Sequence, residues 1–235
     1  MKTILKILFI LFSSATYPGL VDIERVDKTI KKDIRYFSKY NFVGEFIDGY
    51  KAPKCLLEES AAMALSKVQK ELSAKAMSLL VYDCYRPQKA VDHFIRWSQS
   101  ETNEMKVAFY PNLKKENLFK LGYIAKQSGH TTGRSVDLTL ISLDSSIKIY
   151  RDENIMTNCA SENHFKDNSL DMGSAYDCFH EISHTQTHLI SEQQMKNRLL
   201  LKEVMEKYGF YNYSKEWWHY TFMSKNPKRY NQDVE

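Results

Sequence analysis

Residues 128–140 read SGHTTGRSVDLTL, a polar turn that runs directly into a strand-like segment. The strand-like part, SVDLTLISL at 135–143, contains β-branched residues and a partial alternation of apolar and polar side chains, which is typical of a β-strand. His130 precedes the turn and Asp137 follows it, and a turn at Gly133 can bring the two side chains toward one point. The stretch therefore predicts a strand that has an imidazole and a carboxylate close together near its beginning.

On the N-terminal side of this stretch, the sequence predicts one more strand and two helices. Residues 56–75 carry apolar side chains at helical spacing and several good helix formers. The run SLLVYDCY, 78–85, is apolar and aromatic and predicts a strand. Pro87 fits the first turn of a helix that continues to about Gln99.

On the C-terminal side, the sequence predicts a helix followed by a strand or hairpin. Ser191 and Gln194 have the spacing of a capping box, which opens a helix through about Tyr208. Gly209 supplies the C-terminal stop of that helix. Residues 210–223, FYNYSKEWWHYTFM, are aromatic and β-branched, as strands are. Because strands and helices do not alternate regularly, we expect an α+β fold with a central antiparallel sheet flanked by helices.

Composition bounds the kind of protein. The chain has 235 residues, of which 43% are hydrophobic, so it can bury a sizeable core and global disorder is excluded. The net charge of +4 is spread over 26% charged residues, which is unlike the clustered basic face of a nucleic-acid-binding protein. No long linker or repeat interrupts residues 20–230, so we expect a single domain. The polar, irregular stretch 144–170 is interpreted as an inserted loop.

The first fifteen residues, MKTILKILFILFSSA, have the pattern of a secretory signal peptide. Two lysines precede a short apolar run, and small residues follow at the position of a cleavage site. A tethered N-terminus or a buried strand is the alternative, but the run is shorter than the roughly 20 apolar residues of a membrane span. We therefore expect a domain over 16–235 that is exported to the periplasm or secreted and has no membrane contact once the signal is removed.

Export would make the four cysteines eligible for disulfides. Cys55 could pair with Cys84, and Cys159 with Cys178, but four cysteines allow three connectivities and the sequence does not select one. A structural zinc site is disfavoured because the cysteines contain no closely spaced pair.

A second segment of chemical interest is SKEWWHYTF, 214–222. The imidazole of His130 and the carboxylate of Asp137 would give two of the three protein ligands of a catalytic zinc ion. His219 offers the third, which would leave the fourth coordination position for water. A carboxylate close to such an ion, such as Glu216, can accept a proton from the water and pass it to the leaving amine. Neighbouring strand positions alternate faces, so Glu216 is expected before the strand or on a bulge.

A third segment is VYDCYRPQKAVDHF, 81–94, in which Arg86 lies where a strand gives way to a helix. Its fixed charge could stabilise the oxyanion of a tetrahedral intermediate. Taken singly, each of these residues is also an ordinary structural residue. The hypothesis depends on their occurring together.

Together, five strings in this order resemble the D-alanyl-D-alanine dipeptidases, zinc enzymes associated with vancomycin resistance. The strings are YDCYRPQKAV, FYPN, SGHTTGRSVDLTL, DMGSAYDCFHEISH and EWWHY. The resemblance covers about residues 33–220 and extends to a wider zinc peptidase group that includes D-Ala-D-Ala carboxypeptidases. It implies a zinc-centred cleft with one Zn²⁺ per chain.

The resemblance also implies a role for each of the site residues. His130, Asp137 and His219 would bind zinc, Glu216 would act as general base and then acid, and Arg86 would stabilise the transition state. Three residues would contact a small dipeptide substrate: Ser128 at its carboxylate, Asp177 at its free amine, and Tyr36 on the substrate side. His184 corresponds to a characteristic histidine near the site that is not a ligand.

Three alternatives stay open at this point. The first is a carboxypeptidase or cell-wall endopeptidase of the same zinc group, and the second is a zinc-binding module without catalysis. The third is a surface interaction protein that carries the motif by chance and binds no stoichiometric metal. Three features depart from the family pattern: Gly129 stands where the family often has serine, the stretch 144–170 is longer, and the chain begins with an export signal. The preferred dipeptide and the oligomeric state are left open.

Overall fold

The computed structural model describes residues 17–150 and 156–235, so the predicted signal peptide at 1–15 lies outside the described residues. In chain order, the strands are β1 (Val21–Asp22), β2 (Lys31–Lys32), β3 (Leu56–Leu57), β4 (Met77–Asp83), β5 (Ser135–Ser142), β6 (Phe210–Asn212) and β7 (His219–Phe222). The α-helices are α1 (Glu59–Ser73), α2 (Gln88–Ser98), α3 (Lys106–Phe109), α4 (Leu118–Leu121) and α5 (Glu192–Lys207).

The central sheet has five strands in the order β2-β4-β5-β7-β6. The pairs β4–β5, β5–β7 and β6–β7 are antiparallel, as predicted, and β6 and β7 form a hairpin. The edge strand β2 departs from the prediction because it runs parallel to β4 over two residues. A two-residue strand carries no periodic pattern, so it could not be predicted from the sequence.

The register of the three middle strands fixes the position of the site. Asp137 on β5 pairs with Asp83 on one side and with His219 on the other. A register shift between Val81 and Asp83 marks an irregularity at the end of β4, as is common beside functional sites. Three strands therefore bring polar side chains to one place at the end of an otherwise apolar sheet.

Helices pack against this sheet and against each other. Helix α1 packs on β4, and α5 packs on β6 and contacts α1. The predicted capping box at Ser191 and Gln194 is present, and Gly209 follows the end of α5 with a φ of +89°. Helix α1 begins at Glu59, later than predicted, because the two residues of β3 pair with β1. Pro87 is the N-cap of α2 and lies just outside its first turn.

Two disulfides tie loops to this framework, Cys55–Cys84 and Cys159–Cys178. The described parts of the stretch 144–170 contain no helix or multi-residue strand, although an isolated bridge joins Ser169 to Ile141. Within the described ranges, no helix has the length and apolar character needed to cross a bilayer.

Candidate active site

A tight turn places His130 next to the first residues of β5. Residues Gly129–Thr132 form a 3-10 helix that is capped by Ser128, whose Oγ accepts a hydrogen bond from the His130 amide over 3.2 Å. Gly133 ends the turn with a φ of +68°, and a Cβ there would lie 3.1 Å from the amide nitrogen of Glu58. Only glycine adopts this conformation without strain in so close a space, so Gly133 makes the predicted approach of His130 to Asp137 possible.

The three side chains predicted as metal ligands meet in one buried cluster. Oδ1 of Asp137 lies 3.3 Å from Nε2 of His130 and 2.9 Å from Nδ1 of His219. The two ring nitrogens are 3.1 Å apart. Their three ligand atoms all lie within 4.8 Å of one another, and no other group of three or more such residues among those described could hold a metal ion.

Hydrogen bonds orient each of these ligands toward the others. Nδ1 of His130 donates to the carbonyl oxygen of Cys84 over 2.6 Å, which leaves Nε2 free to coordinate. Nε2 of His219 lies 3.3 Å from Oγ1 of Thr221, which leaves Nδ1 facing the cluster. Burial would raise the pKa of the Asp137 carboxyl, but the two imidazoles hold it well below its usual range. Two imidazole nitrogens and one ionised carboxylate are a donor set that suits a catalytic zinc ion.

Glu216 lies beside this cluster in the turn that precedes β7, where the sequence placed it. Its Oε2 is 3.9 Å from Nδ1 of His219. The turn is fixed by backbone hydrogen bonds, from the Glu216 amide to the carbonyl of Tyr213 over 3.0 Å and from the Trp217 amide to the carbonyl of Ser183 over 3.0 Å. Burial, together with the neighbouring carboxylates of Asp137 and Asp177, raises the pKa of Glu216 well above its ordinary value.

Arg86 is held beside the cluster by the carboxylate of Asp83, which the sequence did not single out. Its Nε and Nη2 donate to Oδ2 of Asp83 over 3.0 and 2.8 Å, and its Nη2 is 3.6 Å from Oδ2 of Asp137. Asp83 is fully buried and also accepts a hydrogen bond of 2.6 Å from the hydroxyl of Tyr50. The guanidinium lies over the ring of Tyr36, 4.9 Å from its centroid. These contacts hold the Arg86 guanidinium in place before a substrate binds.

Asp177 and Tyr36 form a hydrogen-bonded pair in the same region. The Tyr36 hydroxyl donates to Oδ2 of Asp177 over 2.9 Å. Asp177 has a φ of +57°, a left-handed conformation that is uncommon outside glycine and often marks functional positions. Burial and the nearby charge of Asp137 raise the pKa of Asp177 to about 8.

A cavity of about 620 Å³ is lined by the predicted ligands and by the polar side chains around them. Its lining includes every residue that the sequence nominated: Tyr36, Arg86, Ser128, His130, Asp137, Asp177, Glu216 and His219. Aromatic side chains complete much of the wall: Phe42, Phe94, Phe119, Tyr123, Phe179 and Tyr213. His184 is not in this lining, and its Nε2 lies 3.3 Å from the hydroxyl of Tyr123, which is a lining residue.

Two residues that orient the site escaped the sequence analysis. Asp83 anchors Arg86, and its position three residues before that arginine was the signal that could have indicated it. Tyr176 donates a hydrogen bond of 3.1 Å to Oδ2 of Asp137. No local pattern announces this contact, because the two residues are 39 positions apart.

Comparisons with known proteins match this chain to one family. A family model described as D-ala-D-ala dipeptidase matches residues 16–149 and 159–234. A D-alanyl-D-alanine dipeptidase of Enterococcus faecalis is 33% identical over 208 residues, covering 88% of this chain and 93% of the relative. One from Streptomyces coelicolor is 34% identical, covering 82% and 85%, and one from Escherichia coli is 29% identical, covering 86% and 83%. The unmatched residues 150–158 fall within the stretch 144–170.

The family model spans most of the chain, and the relatives are matched over most of their own length. Four of the five strings that carried the resemblance contribute side chains to the cavity, and FYPN is the exception. The chain therefore belongs to the D-Ala-D-Ala dipeptidase family of peptidases, and it is a hydrolase of that family.

Proposed function

We propose that the protein is a zinc dipeptidase that hydrolyses D-alanyl-D-alanine or a closely similar dipeptide. The observation that carries this proposal is the single cavity in which the cluster His130, Asp137 and His219 is joined by Glu216 and Asp177. A peptidase for short substrates needs an activated water, a proton carrier and a partner for the free amine. The residues of this cavity supply a candidate for each role.

His130, Asp137 and His219 are the residues that would hold the ion. The donor set fits zinc, because two imidazole nitrogens and a carboxylate oxygen already face one another and the imidazoles are oriented by hydrogen bonds on their far sides. When bound, zinc supplies Lewis acidity, which polarises a carbonyl group and lowers the pKa of water toward neutrality.

Glu216 is proposed as the general base and then the general acid. Its carboxylate lies beside the metal cluster without being part of it, with Oε2 3.9 Å from Nδ1 of His219. It would accept a proton from the attacking water and donate it to the nitrogen of the leaving D-amino acid as the peptide bond breaks. Its buried surroundings raise its proton affinity, which suits a group that has to hold a proton between these two steps.

Arg86 is proposed to donate hydrogen bonds to the substrate carbonyl oxygen as negative charge develops on it. Asp83 fixes the guanidinium before substrate arrives, so little reorganisation is needed during the reaction. The backbone also couples this residue to the metal cluster, because the Arg86 amide donates to the carbonyl oxygen of His130 over 3.2 Å.

The two ends of a dipeptide are proposed to be held by Asp177 and Ser128. The Asp177 carboxylate would pair with the ammonium group, with the Tyr36 hydroxyl holding its position. Ser128, two residues before His130, would contact the carboxylate at the other end. A longer peptide has no ammonium group next to the scissile bond, so Asp177 would be left buried without a cationic partner. This arrangement favours a dipeptidase over an endopeptidase.

We further propose that the enzyme acts outside the cytoplasm. The signal-like residues 1–15 support export. The two disulfides agree with an oxidising compartment. In that location the substrate would be wall-derived or environmental dipeptide.

A substrate panel tests the proposal. D-Ala-D-Ala, N-acetyl-D-Ala-D-Ala and a wall pentapeptide ending in D-Ala-D-Ala would be assayed with and without a chelator, alongside L,D- and L,L-dipeptides. We expect chelator-sensitive hydrolysis of the free dipeptide and little or no hydrolysis of the blocked or longer substrates. Preferential cleavage of the pentapeptide would instead identify a carboxypeptidase, and zinc binding without any hydrolysis would identify a non-catalytic module.

A further inference from the structure

We propose that Tyr176 is a positioning residue for the metal site: its hydroxyl holds one oxygen of Asp137 and so presents the other to the ion. The proposal rests on the proposed zinc function. It concerns a residue that does not line the cavity and is not one of the three predicted ligands.

The two oxygens of the Asp137 carboxylate have different surroundings. Oδ1 faces the imidazoles, 2.9 Å from Nδ1 of His219 and 3.3 Å from Nε2 of His130. Oδ2 accepts a hydrogen bond of 3.1 Å from the Tyr176 hydroxyl and lies 3.6 Å from Nη2 of Arg86. Since Oδ2 is engaged from the other side, Oδ1 is the oxygen that is positioned to bind a metal ion. A carboxylate held in this way cannot rotate freely between its two oxygens.

The Tyr176 ring is itself held on two sides. It stacks on Tyr82 at a centroid distance of 4.5 Å and an interplanar angle of 23°, and it meets Trp218 edge-on at 5.5 Å. Tyr176 is only 4% exposed. Aromatic contacts of this kind are favourable beyond the area that they bury, so the direction of the Tyr176 hydroxyl is set by packing.

Behind Tyr82 lies a buried network of charges. The Tyr82 hydroxyl donates to Oδ2 of Asp167 over 2.5 Å, and Nη2 of Arg35 donates to the same oxygen over 2.8 Å. Nε of Arg35 donates in turn to Asp33 over 2.6 Å. The network connects residues 33–35 and the loop that carries Asp167 to the back of the metal cluster. Because Tyr176 stacks on Tyr82, this network restrains the ring whose hydroxyl donates to Asp137.

The chain offers a matched control for a test of the hydroxyl. Tyr110 is also fully buried, and its hydroxyl has no hydrogen-bond partner among the described residues. Tyr176→Phe and Tyr110→Phe each remove one buried oxygen, but only Tyr176→Phe removes a contact with a predicted ligand. Any difference between the variants therefore reports on that contact.

The experiment is a zinc titration of the full-length, chelator-stripped proteins in competition with a chromophoric chelator. Removal of partners of this kind lowers metal affinity about 10- to 100-fold, so we expect Tyr176→Phe to bind zinc at least 10-fold more weakly than Tyr110→Phe and wild type. The rise in unfolding temperature on adding zinc should shrink in the same variant, and the visible spectrum of its cobalt-substituted form should change.

Two outcomes would overturn the proposal. Equal zinc affinities in Tyr176→Phe and Tyr110→Phe would show that the hydroxyl does not position Asp137. A lower unfolding temperature of Tyr176→Phe without zinc, with an unchanged rise on adding zinc, would assign the residue a role in folding alone. Failure of the proposed function looks different, because wild type itself would then bind no stoichiometric zinc.

Discussion

Nδ1 of His130 donates a hydrogen bond of 2.6 Å to the backbone carbonyl oxygen of Cys84. Because Cys84 is bonded to Cys55, a predicted metal ligand is oriented by the backbone of a disulfide-bonded residue. The neighbouring amide of Tyr85 donates to the carbonyl of Leu56, which fixes the same turn to β3. The free energy of unfolding and the zinc affinity should therefore both depend on the contacts that hold the turn at Cys84.

Replacement of Cys55 and Cys84 together by alanine should weaken both properties. The disulfide closes a loop between residues 29 positions apart, and loops of this size contribute about 3.5 kcal/mol to the free energy of unfolding. We expect a loss of that order in denaturant unfolding and, in addition, weaker zinc binding, because the Cys84 carbonyl would be less firmly placed.

The second disulfide is the control for that variant. Cys159 and Cys178 are 19 positions apart, so the double replacement Cys159→Ala and Cys178→Ala should lower stability to a similar extent. Since Cys178 adjoins Asp177, this variant should raise KM and leave zinc affinity unchanged. Equal zinc affinities in the two double variants would contradict the coupling.

Glu216→Gln should separate metal binding from catalysis. The amide has nearly the same shape but cannot accept a proton from water, and loss of a general base lowers rates about 10²- to 10⁴-fold. We expect kcat to fall in this range, with zinc stoichiometry by metal analysis unchanged. Glu104→Gln, at an exposed position, should retain wild-type activity. Near-normal turnover by the Glu216 variant would rule out its assignment as the base.

Much of the site could be predicted because its residues sit in short, local patterns. The turn at Gly133 follows His130 closely, and the run before His219 contains Glu216, so a few positions carry both the chemistry and the geometry. The strands predicted from 78–85 and 135–143 are present as β4 and β5. Convergence of these patterns on one cavity depends on strand register, which no local pattern in the sequence predicts.

What escaped prediction depends on contacts between distant segments. Tyr82 meets Asp167 across 85 positions of sequence, and Tyr176 meets Asp137 across 39. The spacing of the four cysteines allowed three pairings, and only the fold brings the observed partners together. Such choices are made by packing, which has no local sequence signature.

Asp177→Asn should impair substrate binding more than turnover. A neutral amide cannot form an ion pair with the substrate ammonium, so KM for D-Ala-D-Ala should rise at least 10-fold while kcat changes much less. Steady-state kinetics with the free and the N-acetylated dipeptide give the measurement. The variant should lose most of the preference for the free amine, and an unchanged preference would remove Asp177 from the amine site.

The raised pKa of Asp177 predicts how the free energy of unfolding depends on pH. Burial, with Asp137 and to a lesser extent Asp83, raises the pKa of Asp177 to about 8 against the opposing effects of Arg86 and Tyr36. The folded protein therefore keeps a proton that the unfolded chain has released between about pH 4 and pH 8. The contribution of Asp177 to the free energy of unfolding should fall as the pH rises through this range.

Denaturant unfolding of the chelator-treated protein at pH 5 and pH 8 provides the measurement. Wild type should lose more stability between the two values than Asp177→Asn, which has no proton to release. Parallel pH profiles for the two proteins would contradict the assignment.

Arg86→Lys should show whether the geometry of the guanidinium matters beyond its charge. Asp83 receives two hydrogen bonds from this side chain, through Nε and Nη2, and a lysine ammonium cannot reproduce that fixed fork. Loss of one preorganised oxyanion donor lowers kcat about 10²- to 10³-fold, so we expect a reduction of this size with a smaller change in KM. Arg96→Lys is the control, because Arg96 is exposed and its ion pair with Asp48 lies on the surface. Since a role in binding alone would raise KM and leave kcat intact, the ratio of the two changes decides whether Arg86 acts on the transition state or on the bound dipeptide.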